Sequence, residues 1–432
     1  MGAKSVFVGG RNVARLARSL AVATALASVA LTAVTAEAQN RRERAQRGAT
    51  EYSEAFVTAY NAVQVTTQNG ATDFSPARPL IPAMVAAAVS ADEKDAAGNL
   101  ILSVGQNVRD TGLQRQGIEL MLASGKVAPE AQGQYYYYVG NFAMAARDFP
   151  AALAALRQTV ALGYVSPQAA ADPSLDPRTQ ILQVLFLSDD FTNLKTTADE
   201  YIAAATGPVP ELWLNYGMQA AIESEDAAAA ARYAAPLVQA YPTARNIRNA
   251  VRVTLQLGRV GNGAVMADGM RLLYAANAMS EDADVTNYIM SIDSRLMANE
   301  ALRVLERGAS TNLLPTTDDY YVTQNAIATE RAPAERRDAP MMLRDARAAA
   351  GGLEAYEAGE LFLSLGEYAQ AEEMYAMAVS KGSPDRNRDL MRQGIAQAMQ
   401  GKKAEATATF AQVQGDRAAL AAIWNAWLAS QA

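Results

Sequence analysis

The chain has 432 residues, half of them apolar, and its 38 basic and 45 acidic residues give a net charge of −7. It contains no histidine and no cysteine, which excludes Ser-His-Asp and Cys-His catalysis, zinc-thiolate sites and disulfides. Enzymes that work with paired carboxylates or a lysine remain compatible with this composition.

The amino terminus has the pattern of a secretory signal peptide. Lys4, Arg11, Arg15 and Arg18 form a basic region before the uncharged apolar stretch 20–34, and Ala36-Glu37-Ala38 forms an A-x-A cleavage motif. We predict cleavage after Ala38 and a periplasmic or secreted protein. The alternative is an uncleaved membrane anchor, although the stretch is short and alanine-rich for a membrane span.

The predicted mature chain is more acidic than the precursor. Residues 1–38 carry four basic residues and Glu37, so their removal changes the net charge from −7 to −10. This charge argues against nucleic-acid partners. No later stretch is long and apolar enough for an integral membrane span, and we expect residues 39–50 to form a flexible basic leader.

A helix–turn–helix pattern recurs through most of residues 95–430. In its clearest copy, Gly359 lets two helices approach, Gly366 ends the first helix, and Tyr375 fills the space between them. Similar copies are centred on Gly140, Gly217 and Gly394. The pattern resembles the tetratricopeptide-repeat superfamily.

This resemblance implies an all-α fold, an α-solenoid in which antiparallel helix pairs form a right-handed superhelix over residues 51–432. An alanine-rich composition also favours helices. Within residues 315–350 we expect two helices with a charged interruption around 333–338. A break near residues 310–345 could therefore separate a C-terminal block of repeats.

The resemblance also implies a concave groove, lined by the first helix of each pair, that binds a protein or peptide. Carried over by their positions relative to the repeat glycines, the groove-facing residues are Tyr137, Asn141, Met144, Leu214, Met218, Tyr356, Glu360 and Met391. Tyrosine and methionine side chains suit a hydrophobic peptide or helix. The alternative is that the repeats close on themselves and bury these residues.

Residues 135–138 are four consecutive tyrosines. Successive residues of a helix are rotated by about 100°, so the four rings cannot share one face. Only Tyr137 falls at a groove-facing position.

The acidic residues give little indication of catalysis or metal binding. Residues 282–293 lack the glycine and the terminal glutamate of a calcium loop, and a helix N-terminus explains them better. Gly261-Asn262-Gly263 lacks the preceding strand of a phosphate loop. The acidic groups are Asp189-Asp190, Glu223 with Glu225-Asp226, Asp318-Asp319 and Glu372-Glu373. Most of them fall at expected turns or helix starts, and Glu372-Glu373 lies on the expected outer helix of the clearest repeat.

The sequence therefore predicts no catalytic residue, no cofactor and no metal site. The favoured hypothesis is an exported scaffolding or protein-interaction module, whose partner could belong to the cell-envelope machinery. The alternative is a carboxylate-dependent hydrolase or lyase acting on cell-wall or polysaccharide substrates.

Overall fold

The computed structural model describes residues 52–68, 70–258 and 263–431. The predicted signal peptide (1–38), the basic leader (39–50) and most of the Gly261-Asn262-Gly263 loop lie outside these residues. Over the described ranges the protein contains twenty α-helices and no β-strand. The predicted all-α fold class is confirmed.

The chain divides into two compact units, one up to Val184 and one from Leu185 onwards. The helices of the first unit are α1 (Glu54–Val65), α2 (Ile81–Ala87), α3 (Ala91–Asn107), α4 (Thr111–Ala123), α5 (Pro129–Ala145) and α6 (Phe149–Ala161). Helix α7 (Pro177–Leu187) contains the boundary between the units.

The second unit holds the remaining thirteen helices of the described chain. They are α8 (Phe191–Ala203), α9 (Glu211–Glu223), α10 (Ala227–Ala240), α11 (Ala244–Leu257), α12 (Gly263–Ala275), α13 (Asp282–Ile292), α14 (Ala298–Ser310), α15 (Asp319–Ala348), α16 (Leu353–Leu365), α17 (Tyr368–Ser380), α18 (Arg386–Met399), α19 (Lys403–Phe410) and α20 (Ala418–Ala429). Within each unit, consecutive helices pack on one another, most closely in the pairs α3–α4, α5–α6, α16–α17 and α17–α18. Short connections make these neighbours antiparallel, as in a helical-repeat fold.

A glycine of the first helix faces a large side chain of the second helix in each of the four repeat copies. The pairs are Gly140–Leu156, Gly217–Tyr233, Gly359–Tyr375 and Gly394–Phe410. A Cβ atom placed on the glycine would lie 2.5–2.7 Å from a side-chain carbon of its partner. Only glycine therefore allows this approach, and the predicted close packing of the two helices is confirmed.

Helix α15 runs for 30 residues through Pro333 and Pro340, so the predicted interruption around 333–338 is wrong. Both prolines lie on the exposed face, where each removes a donor but does not disturb the packed side. The packed side carries mostly small residues three, four or seven positions apart, and these are Ala328, Ala332, Glu335, Ala339 and Ala346. This spacing keeps one continuous helical face against the neighbouring helices.

The second unit closes on itself. Its last helix, α20, packs against α10, α11 and α12, and α18 also contacts α12. One hydrophobic core extends through this unit from Leu214 to Leu428. Among the described helices, none is both long and apolar enough to cross a bilayer.

Candidate functional site

In the first unit, the predicted groove face of α5 is covered by the protein's own chain. The hydroxyl group of Tyr137 donates a hydrogen bond to the carbonyl oxygen of Leu175 (3.0 Å), and the Tyr137 ring lies 5.5 Å from that of Tyr164. Burial raises the pKa of Tyr137, so its phenol remains a donor. The covering segment, residues 162–176, joins α6 to α7.

Asn141 continues this buried polar cluster. Its Nδ2 donates to the Tyr137 carbonyl oxygen (2.8 Å), and its Oδ1 accepts from Gln180 Nε2 at the same distance. Met144, on the same helix, is also buried. The three predicted residues of this unit therefore contact protein in this conformation.

In the second unit, Leu214, Met218 and Met391 belong to the hydrophobic core. Tyr356 and Glu360 are half-buried, and both are held by Arg392. Arg392 Nη1 donates to the Tyr356 hydroxyl oxygen (2.8 Å) and pairs with the Glu360 carboxylate.

Six of the eight predicted groove residues thus expose no more than 7% of their surface. The two others, Tyr356 and Glu360, lie together at the edge of an internal network of charges. That any of the eight binds a peptide stays a prediction.

The centre of this network is Asp268, a fully buried carboxylate of α12. It accepts hydrogen bonds from three guanidinium groups: Arg271 Nη1 (3.1 Å), Arg392 Nε (3.3 Å) and Arg417 Nε (3.3 Å). The indole of Trp424 donates to the Asp268 carbonyl oxygen (3.2 Å). Asp268 therefore joins α12 to α18 and to the C-terminal region.

A second buried carboxylate, Glu300 of α14, is bound by the same Arg271. Arg271 Nε and Nη2 donate to its two oxygens (2.9 and 3.0 Å), and the Tyr288 hydroxyl donates to Oε1 (2.7 Å). Burial alone would raise the pKa of Glu300, but the charge and hydrogen bonds of Arg271 outweigh it and lower that pKa. Glu300 is therefore ionised near neutral pH.

A recess opens beside this pair, where α12, α13, α14, α16, α17 and α18 meet. It is open to solvent on one side, and its interior has room for roughly one or two water-sized groups. The polar side chains that line it are Arg271, Tyr274, Tyr288, Glu300, Arg303 and Tyr368. Its remaining wall is aliphatic, formed by Val304, Leu363, Ile395 and Met399.

The acidic pairs noted in the sequence have local structural roles. Asp190, Asp226 and Asp318 each accept a hydrogen bond from a backbone N–H in the first turn of a helix. Glu372 pairs with Lys402 Nζ (2.6 Å). The aspartate contacts match the expected positions at turns and helix starts, whereas Glu372 lies within α17, the second helix of its repeat.

The stretch 282–293 that faintly resembled a calcium loop forms α13. Glu281 and Asp284 form a reciprocal capping box at its start. The helix-terminus interpretation is confirmed. Over the described ranges, no group of three or more His, Cys, Asp or Glu side chains is arranged to hold a metal ion.

The recess and its charges were missed by sequence reasoning. Asp268 and Arg271 are the two charged residues of the apolar helix 263–275. A pair of opposite charges three positions apart on such a helix is typical of a buried ion pair, because an isolated charge there would be costly. That signal could have located the network, but not its partners.

These features define a class, an all-α helical-repeat protein. No protein-family model matches the chain, and no curated protein matches it. Among solved structures, it is similar to a chain of Naa15/Naa10 bound to HypK-THB, with 13% identity and a TM-score of 0.41. The match covers 89% of this chain but 60% of that chain, and a match of this size bears on neither function nor partners.

Proposed function

We propose that this protein is an exported scaffold of the tetratricopeptide-repeat type that binds a protein partner and has no catalytic activity of its own. The repeat assignment is supported by the four glycine contacts, which recur with a spacing of sixteen residues in every copy. We place the partner surface over the mouth of the recess in the second unit.

One observation carries this placement. Most of the predicted groove positions are covered by the protein's own chain, whereas six helices meet around the recess and leave it open on one side. A concave site with an apolar wall and a few polar groups is the usual form of a binding site. The wall residue Met399 is half-buried at this site.

The hydrolase alternative gains no support from the recess. A carboxylate-dependent glycosidase needs one carboxyl group that remains protonated so that it can act as an acid. The carboxylate that lines the recess is Glu300, and its pKa is lowered.

Photocrosslinking tests the partner surface. A benzophenone amino acid replaces Met399 at the recess or, as a control, Met341, which is exposed on α15. We expect a discrete crosslinked protein, identified by mass spectrometry, from cells carrying the first variant only. Equal crosslinking at both positions, or none at Met399, would contradict this placement.

Export is tested separately. We expect the protein in the periplasmic or secreted fraction and an N-terminus at Gln39. Changing Ala38→Leu places a large residue before the cleavage point, so the uncleaved precursor should accumulate. Wild-type protein that keeps residues 1–38 and fractionates with the cytoplasm would refute the proposal of export.

A further inference from the structure

We infer that the recess of the second unit is a small-molecule site for a carboxylic acid with a short apolar body. This inference goes beyond the binding of a protein partner, and it depends on the polar groups of the recess that the protein itself leaves unused.

The first of these groups is the guanidinium of Arg303. Its Nη1 donates to the carbonyl oxygens of Ser364 (2.7 Å) and Asn299 (3.2 Å), and its Nη2 donates to that of Leu363 (3.3 Å). A guanidinium has five N–H donors. Within the described residues, Nε–H and one Nη2–H therefore carry no hydrogen bond, and free N–H groups of a guanidinium are suited to binding a carboxylate.

The backbone contacts of Arg303 also fix its position. The carbonyl groups of Leu363 and Ser364 belong to the last turn of α16, where the negative end of the helix dipole attracts a cation. Arg303 consequently needs no carboxylate of this protein as a partner, and the described chain provides it with none in an ion pair.

Two tyrosine hydroxyl groups complete the set of donors. Tyr274 and Tyr368 line the recess, and neither hydroxyl makes a hydrogen bond to any described residue. Burial raises the pKa of Tyr368, so it stays protonated and can donate. The third tyrosine, Tyr288, is already used, since it donates to Glu300.

The charge of the recess favours an anion. Its lining contains two guanidinium groups, those of Arg271 and Arg303, and one carboxylate, that of Glu300. Arg271 is bound to two carboxylates, those of Glu300 and Asp268, whereas Arg303 is the guanidinium of the lining that forms no ion pair within the described residues and supplies positive charge to the recess.

The size and the wall of the recess define the rest of the ligand. Its narrow interior takes roughly one or two water-sized groups, which matches a carboxylate and excludes an aromatic ring. The aliphatic side chains of Val304, Leu363, Ile395 and Met399 form the rest of the wall, so the apolar body of the acid would contact them at the open mouth. We therefore infer a short branched aliphatic acid as the ligand.

Titration calorimetry on the full chain tests the inference with 4-methylpentanoate as the probe and 4-methylpentanamide as its uncharged control. We expect the acid to bind and the amide to bind at least about tenfold more weakly, because a hydrogen bond to a charged group contributes more than one to a neutral group. Acetate, which lacks the apolar body, should bind more weakly than 4-methylpentanoate. Equal binding of acid and amide, or no binding of the acid at millimolar concentration, would overturn the inference.

Variants locate the site. The double variant Tyr274→Phe/Tyr368→Phe removes both free hydroxyls and keeps the rings, so it should fold normally and bind the acid about tenfold more weakly. Arg303→Gln should abolish binding, while Arg295→Gln, which changes an exposed arginine paired with Asp293, should not affect it. Unchanged affinity in the tyrosine double variant would reject this recess as the site.

The outcomes also separate this inference from the proposed function. Binding of the acid without a crosslinked partner at Met399 would retain the acid site and remove the scaffold surface. A crosslinked partner, combined with affinity only for peptides that have a free C-terminal carboxylate, would retain the scaffold and overturn the small-molecule site.

Discussion

Glu93 shows how one side chain can organise a helix junction. Its Oε1 accepts hydrogen bonds from the backbone N–H and the hydroxyl of Ser53 (2.8 and 2.7 Å). Its Oε2 accepts from the N–H groups of Val89 and Ser90 (3.0 and 2.8 Å). The residue before α1 is thereby tied to the first turn of α3, and these hydrogen bonds, with that from the Ser53 side chain contributing most, lower the pKa of Glu93 to about 2.

This lowered pKa predicts a specific dependence of stability on pH. The ordinary value is 4.5, so the contribution of ionised Glu93 is complete above about pH 4.5 and is lost as the pH falls towards 2. Glu93→Gln should lower the melting temperature at neutral pH. The difference in melting temperature between the variant and wild type should become smaller as the pH falls from about 4.5 towards 2. A difference in melting temperature that stays constant with pH would contradict the prediction. Glu119→Gln, which removes a surface ion pair with Arg115, provides the control.

The repeat glycines give a second prediction at the same scale. In Gly394→Ala, the new Cβ would lie 2.7 Å from Cε1 of Phe410, so the ring or the helix must move. We expect a loss of about 1–3 kcal/mol in the free energy of unfolding, measured with urea. Gly207→Ala is the matched control, because no atom lies within 4 Å of its added Cβ. Equal effects of the two changes would count against tight packing at Gly394.

Among the elements, the connection between α6 and α7 has the clearest role. Residues 162–176 cover the face of α5 that carries Tyr137, and the Tyr137 hydroxyl binds the carbonyl of Leu175. The connection occupies the position that a bound peptide was expected to take.

Tyr137→Phe removes this hydrogen bond and leaves the ring contact with Tyr164. We expect a local loss of about 1 kcal/mol and faster hydrogen exchange in residues 162–176, with little change elsewhere. Tyr136→Phe changes a half-buried neighbour on the same helix and should leave that exchange unaltered. Unaltered exchange in the Tyr137 variant as well would show that the bond does not hold the segment.

What the sequence could predict depends on the separation of the contacting residues. The contact of Gly359 with Tyr375 joins positions sixteen residues apart, and the same spacing recurs in other copies, so the pattern alone predicts it. In α15, the two prolines suggested an interruption, although the small residues at 328, 332, 339 and 346 already predict one continuous face. The covering of Tyr137 has no comparable signal, because residues 162–176 have no repeat pattern.

The distant partners of the buried charges lie beyond sequence prediction for the same reason. Asp268 meets Arg392 at a separation of 124 positions and Arg417 at 149. No local spacing relates these residues. Their contact follows only from the way in which α18 and α20 return to α12.

At the scale of the second unit, Asp268 links α12 to α18 and to the start of α20 through Arg392 and Arg417. Asp268→Asn removes the charge that the guanidinium groups of Arg271, Arg392 and Arg417 share. We expect a loss of about 3–5 kcal/mol in the free energy of unfolding, because buried cations would lose their counter-charge. Small-angle scattering should also show a larger radius of gyration, because the contacts of α18 and α20 with α12 would be weakened.

The control for this change is Asp345→Asn. Asp345 pairs with Arg344, and both side chains are exposed, so its removal should cost no more than about 1 kcal/mol. A loss of similar size in both variants would mean that the three-arginine cluster does not stabilise the closed unit.

The closure of the second unit also determines when this unit can complete its folding during synthesis. Asp268 and Arg417 lie 149 positions apart, so the ribosome completes α12 long before it synthesises Arg417. Until the last helix is synthesised, Asp268 lacks its contacts with Arg417 and Trp424, and α12 cannot take its final environment. The second unit must therefore complete its folding late, and a chain that ends before Trp424 should lack the contacts that close the unit, even when its earlier repeats have formed.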